Sequence, residues 1–282
     1  MRIEDYPPQE PFSEVGKKYV DETLSRSEGC EGIETNYGSD PHQGILLFPS
    51  KNPDGRVLIF IYGGGWTNGY KESMAFYSRA FEDTGITFLS IGYRLAPKTT
   101  FPEGWLDCAR AVAWTYKNIS RYGGDPSKIY VSGHSAGGHY SSLMAVRRDW
   151  QAPLELPEDV VCGALPISGT YEFGANSGFA MRPRFLGDPK LQNETSASPI
   201  NYLHLTPPPM LLTHGDNDFP HLIKQQNRFS AALKDAGGDV EELVVADSDH
   251  FSVCYACGMP GSAWSVTADK WIKKQEKLKD TK

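Results

Sequence analysis

The chain has 282 residues, 39% of them hydrophobic and 12% aromatic, and its 28 basic and 35 acidic side chains give a formal net charge of −7. That length and apolar content suit a single α/β domain, residues 1–282, with a sizeable core. The acid excess, with no basic cluster, disfavours nucleic acid as a partner, and no apolar run approaches the ~20 residues of a membrane span.

The first residues, Met1-Arg2-Ile3-Glu4-Asp5-Tyr6-Pro7-Pro8, are acidic and broken by proline, so they do not read as a signal peptide. Cys30, Cys108, Cys162, Cys254 and Cys257 form an odd, sparse set, which argues for reduced thiols and a cytoplasmic protein. With no secretion signal, Asn118-Ile119-Ser120 and Asn193-Glu194-Thr195 read as chance matches to the glycosylation pattern. Residues 1–40 read as a polar lead-in with one helix over Glu14–Leu24.

From there, buried-type strands alternate with helices. Gly44–Phe48, Arg56–Tyr62 and Ile86–Ile91 are apolar runs of strand length, and 102–120 has helical periodicity. The run Lys128–Ser132 leads to Gly133-His134-Ser135-Ala136-Gly137-Gly138 and then a helical segment over His139–Val146. Val160–Ile167, Pro209–Gly215 and Val240–Val245 are further strands. Leu222–Ala236, stopped by Gly237-Gly238, and Ala263–Leu278 are helices. Residues 168–207 are rich in Gly, Pro, Asn and Ser and are expected to form an insertion over the site. The alternation implies a mostly parallel sheet with helices on both faces.

The G-x-S-x-G at 133–137, between strand and helix, has the pattern of a nucleophile elbow. A serine in so sharp a turn crowds the positions two away on either side, so Gly133 and Gly137 must lack a Cβ. The Ser135 hydroxyl needs a base, and the base needs a carboxylate to fix its tautomer. Among the histidines, His250 in Asp247-Ser248-Asp249-His250-Phe251 follows the last strand, at the sheet edge where catalytic groups gather. The turn after the preceding strand offers two acids, Asp216 and Asp218, and sequence geometry does not separate residues two apart. Gly63-Gly64-Gly65 after a buried strand brings peptide N–H groups close, so Gly64 and Gly65, with Ala136, are candidates to hold an oxyanion. Tyr62 and Trp66 flank that loop and are candidates for substrate contact, with core packing the equal alternative for Trp66. Phe173 and Phe179 could line an aromatic pocket or pack in the core. Cys254-Tyr255-Ala256-Cys257 does not open a helix after a strand as redox motifs do. No fourth ligand joins His250, Cys254 and Cys257 as a metal set, so neither metal nor cofactor is expected.

Assembled, these segments resemble the α/β-hydrolase fold family of kynurenine formamidases (arylformamidases) and their carboxylesterase relatives. The resemblance runs from about Tyr37 to Phe251. It rests on Tyr62-Gly63-Gly64-Gly65-Trp66, Tyr93-Arg94-Leu95-Ala96-Pro97, the elbow, Ala197-Ser198-Pro199-Ile200, Gly215-Asp216-Asn217-Asp218 and Asp249-His250-Phe251. It implies Asp218 as the acid and His250 as the base. One departure is Tyr62, where that family usually has histidine. The expected activity is hydrolysis of a small-molecule ester or aryl formamide through Ser135, His250 and Asp218, without a cofactor. A general carboxylesterase, amidase or lactone hydrolase is the alternative, and a non-catalytic ligand-binding protein of the same fold is a remote one. A homodimer is left open.

Overall fold

The computed structural model describes residues 2–279. In chain order it runs α1 (Glu14–Ser27), β1 (Ile33–Asn36), β2 (Gly44–Phe48), β3 (Gly55–Ile61), α2 (Ser78–Phe81), β4 (Thr87–Ile91), α3 (Glu103–Asn118) and β5 (Gly124–His134). It continues with α4 (Ala136–Val146), β6 (Gly163–Ile167), α5 (Asn193–Ala197), β7 (Met210–Gly215), α6 (Pro220–Asp235), β8 (Val240–Val245), α7 (Ser252–Cys257) and α8 (Ala263–Lys279). The strands form one eight-stranded sheet in the order β1-β2-β4-β3-β5-β6-β7-β8. β1 and β2 join antiparallel at one edge, and every pairing from β4 to β8 is parallel.

The connections decide where the helices lie. From β3 the chain steps to β4 on one side, then crosses over to β5 and moves steadily outward to β8. Crossovers between parallel strands are right-handed, so the reversal puts α2 on one face and α3, α4 and α6 on the other. α8 packs on α2 and α7, and its Trp264 meets Tyr77 and Phe81 edge-on at 5.7 and 6.0 Å, so it covers the α2 face. The same reversal makes a crevice at the C-terminal ends of β3 and β5, the place where ligands bind in sheets of this kind.

The central strands are apolar throughout because both faces are covered: Val57–Ile61 and Ile129–Val131 are fully buried. All eleven residues of α4 are buried. Its first turn can lie directly on the strands because it is built of Ala136, Gly137 and Gly138.

Three elements escape the sequence reading: β1, the four-residue helix α2 and α7. β1 is a four-residue edge strand with no alternating pattern, Ile-Glu-Thr-Asn, and it is recruited by pairing Ile33–Asn36 against Leu47–Gly44. α7 is one short helix whose first turn is held by Asp249, which accepts from the backbone N–H of Phe251 and Ser252 at 2.9 and 2.7 Å. Within residues 1–40, α1 is capped by Ser13, which accepts from the Gly16 N–H at 3.1 Å, and packs against the turn Lys71–Tyr77. Among the described residues no helix is long and apolar enough to cross a membrane.

Candidate active site

Ser135 sits between β5 and α4 with φ 54° and ψ −114°, a conformation that a non-glycine residue holds only when its surroundings enforce it. They do. The Ser135 N–H donates to the Ile167 carbonyl at 2.9 Å. A Cβ on Gly133 would stand 2.5 Å from the Gly137 backbone, and one on Gly137 only 1.9 Å from the Ile61 carbonyl oxygen. The two glycines are thus the steric condition for the turn, and the turn lifts the hydroxyl out of the sheet edge.

Three other loops converge on it. The Ser135 hydroxyl lies 2.9 Å from His250 Nε2, and His250 Nδ1 donates to Asp218 Oδ1, also at 2.9 Å. His250 comes from the loop after β8 and Asp218 from the turn after β7. Of the two acids in that turn the structure brings Asp218 to the imidazole. Asp216 instead is exposed and accepts from the Ser248 N–H at 3.0 Å, so it ties the two loops together. Phe219 stacks on the His250 ring at 4.6 Å and Phe251 meets it edge-on at 5.4 Å, leaving the imidazole little freedom to turn.

Burial by itself would raise the Asp218 carboxyl, but donation from His250, Ser168 and the Phe219 N–H outweighs it and holds the group at about 2. Asp218 is therefore an anion at any working pH and can stabilise a positive imidazole. Ser168, at the end of β6 with φ 52°, was not singled out by sequence. Its position at the same C-terminal sheet edge was the available signal.

The loop after β3 supplies the amides. Gly64 and Gly65 take φ 131° and 61°, and Gly64 has the carbonyl of Asn68 where a Cβ would go, at 2.0 Å. Neither their N–H groups nor that of Ala136, first in α4, finds an acceptor among the described residues. Gly64, Gly65, Ser135 and His250 line one cavity of about 300 Å³.

The remaining walls correct two expectations. The cavity is also lined by Phe12, Ser13, Gly16, Tyr19 and Val20, together with Phe219 and Phe251. The cover over Ser135 thus comes from α1 and its cap. Residues 168–207, a string of short helical turns, contribute none of the residues that line this cavity. Tyr62 and Trp66, the expected substrate contacts, are also absent from the walls. Tyr62 is fully buried, stacks on Tyr93 at 4.4 Å and donates to the Tyr93 carbonyl at 3.0 Å, so it anchors the glycine loop from beneath. Trp66 stacks on Phe185 at 4.1 Å and donates its indole N–H to His139 Nδ1 at 3.0 Å. Phe173 and Phe179 extend that aromatic cluster. Large apolar rings beside a packed sheet gain more from burial than from facing solvent, and all four serve as bracing.

Cys254 and Cys257 lie buried in α7 as free thiols, with burial pushing Cys254 up to about 11. Tyr19, which the sequence reading also passed over, lies against Cys254 and His134. It is 115 positions from His134, and nothing local in the chain marks that contact.

With this geometry in place, comparison with known proteins is informative. The model of the BD-FAE family matches residues 45–233. Over 198 residues the chain is 37% identical to "Esterase LipQ" of Mycobacterium tuberculosis, covering 64% of this chain and 46% of that protein. Over 215 residues it is 34% identical to "Probable carboxylic ester hydrolase LipM" of the same organism, covering 70% and 50%. The chain thus spans about half the length of the curated relatives it matches. Among solved structures, a truncated carbohydrate esterase from gut microbiota superposes with a TM-score of 0.74 at 20% identity, over 88% of this chain and 98% of that one. At that identity the likeness shows the fold, which is the α/β-hydrolase fold of esterases.

Proposed function

Because this chain belongs to the BD-FAE family and has the fold of α/β-hydrolase esterases, we propose that it is a serine carboxylesterase acting on small esters through Ser135, His250 and Asp218. The observation that carries this reading is the unbroken relay from the Ser135 hydroxyl to His250 to Asp218, 2.9 Å at each step, opening onto a loop of unpaired amides. Ser135 attacks the ester carbonyl while His250 Nε2 takes its proton. The negative oxygen that forms is held by the N–H groups of Gly64, Gly65 and Ala136, a contribution typically of several kcal/mol. His250, now positive and steadied by the Asp218 anion, gives the proton to the leaving alcohol. Water then enters, is deprotonated by His250, and releases the acid from the acyl-enzyme.

The cavity of about 300 Å³, walled by Phe12, Val20, Phe219 and Phe251, favours a short acyl or small aryl group. The names of the relatives, an esterase and a carboxylic ester hydrolase, favour esters over formamides. The formamidase branch suggested by Tyr62-Gly63-Gly64-Gly65-Trp66 is the competing substrate class, since a formyl group is small and the same relay would serve it. A panel of p-nitrophenyl acetate, butyrate and octanoate beside an N-formyl aryl amine separates them. The expected order of kcat/KM is acetate or butyrate first, with octanoate and the formamide behind. A formamide that outruns every ester replaces this reading with formamide hydrolysis, and an enzyme that turns over none of them refutes both.

A further inference from the structure

His134 stands beside Ser135 in the elbow, yet it takes no part in the relay above. It is buried, and both ring nitrogens are engaged. Nδ1 lies 2.9 Å from the Tyr19 hydroxyl of α1, and Nε2 lies 2.8 Å from the backbone carbonyl of His250. Only one proton arrangement fits. A carbonyl oxygen accepts and never donates, so Nε2 must carry the hydrogen. Nδ1 is then the acceptor, and the Tyr19 O–H must donate to it. With its proton committed, the Tyr19 oxygen is left to accept from the Cys254 thiol, 3.4 Å away. The chain of donation therefore runs from Cys254 through Tyr19 and His134 to the backbone of His250.

We propose that His134 is a positioning residue: Tyr19 holds it in the Nε2–H tautomer, and in that tautomer it fixes the peptide that carries the base. The proposal rests on the serine-esterase reading, in which His250 must stay within hydrogen-bond reach of both Ser135 and Asp218. Two further features fit. The His134 and His250 rings lie 5.0 Å apart, so a charged His134 would oppose the imidazolium that forms on His250 during turnover. Burial, reinforced by that neighbour, keeps His134 neutral by lowering it to about 3. Moreover, Tyr19 packs on Phe251 and Tyr255 at 5.5 and 5.9 Å, so α1 is joined to the segment after His250 by packing as well as by hydrogen bonds. One helix thus roofs the cavity and, through Tyr19 and His134, holds the base in register.

Two substitutions at one position isolate the role. In His134→Gln the side-chain amide nitrogen reaches the place of Nε2 and keeps the donation to His250. In His134→Asn the amide reaches only the place of Nδ1, and the His250 carbonyl is left bare. With p-nitrophenyl acetate, His134→Asn is expected to lower kcat about tenfold or more, and His134→Gln to stay within about threefold, the difference that one unsatisfied buried acceptor makes. Tyr19→Phe, which preserves the ring packing, is expected to lower kcat several-fold, with KM changed less than about twofold in all three. Equal losses in the Gln and Asn variants would overturn the proposal, as would a loss carried by KM, or full kcat in Tyr19→Phe. Ser135→Ala in the same series keeps the two readings distinct. If Ser135→Ala remains active, the serine-esterase reading fails. If it is inactive while Gln and Asn behave alike, only the role of His134 fails.

Discussion

Asp218 accepts hydrogen bonds from His250, Ser168 and the Phe219 amide, and this full set of donors is what keeps it an anion. An asparagine there would offer one acceptor oxygen instead of two, and its NH₂ would face a donor. Asp218→Asn should therefore turn His250 to the wrong tautomer and lower kcat by about 10⁴-fold with the fold intact. Asp216→Asn retains the oxygen that accepts from Ser248 and should stay within a few-fold of the parent. The reverse ranking, measured as kcat on a short ester, would mean the acid has been misassigned. Ser135, His250, Gly64 and Gly65 were legible in the chain because each is dictated by local chemistry: a turn that excludes side chains, a loop at a strand's end, a backbone that must come close. Tyr19 and Ser168 were not, because what defines them is a partner more than a hundred positions away for one and fifty for the other. The burial of Tyr62 and Trp66 away from the cavity was hidden for a related reason. Position beside an active loop is visible in sequence, whereas the direction in which a ring points is decided by packing.

The elements are pinned to one another by buried neutral imidazoles. His139 in α4 accepts from the Trp66 indole beside the glycine loop and donates through Nε2 to the Ala197 carbonyl at 2.7 Å, so it links α4, the β3 loop and the 168–207 segment. Burial lowers it to about 3. An unfolded chain takes up that proton near pH 6.5, while the folded one does not until about 3. The stability His139 confers is thus whole above about pH 6.5 and is lost progressively as pH falls toward 3. His139→Gln should be less stable than the parent at pH 7, and its decline between pH 6 and 4.5 should be shallower by up to ~1.4 kcal/mol per pH unit. Urea midpoints at the two pH values test this, and parallel declines would contradict it. At this scale the long buried strands and amphipathic helices were readable, since apolar runs and helical periodicity are local signals. β1 was not, because its exposed four-residue sequence becomes a strand only through its neighbour. The 168–207 segment was read as the roof on the strength of its composition, yet the cavity lining draws on residues 12–20, where Phe12, ahead of α1, and Tyr19 and Val20, within it, offer apolar surface.

Taken whole, the molecule gathers Ser135, His250, Asp218 and the amides of Gly64 and Gly65, the proposed nucleophile, base, acid and oxyanion donors, from the ends of β3, β5, β7 and β8 at one edge of one sheet. Parallel pairing is what makes this possible, since it brings the C-terminal ends of those strands to the same side. A chain that spans about half of its relatives' length carries this complete arrangement within its described residues. The central claim is that Ser135 is made nucleophilic by that convergence, and covalent labelling tests it without reference to any chosen substrate. The intact protein, treated with a fluorophosphonate and analysed by mass spectrometry, should gain a single adduct that maps to Ser135. Labelling should be abolished in Ser135→Ala and slowed at least a hundredfold in His250→Ala. A chain that stays unlabelled, or one labelled as quickly without His250 as with it, would contradict the account.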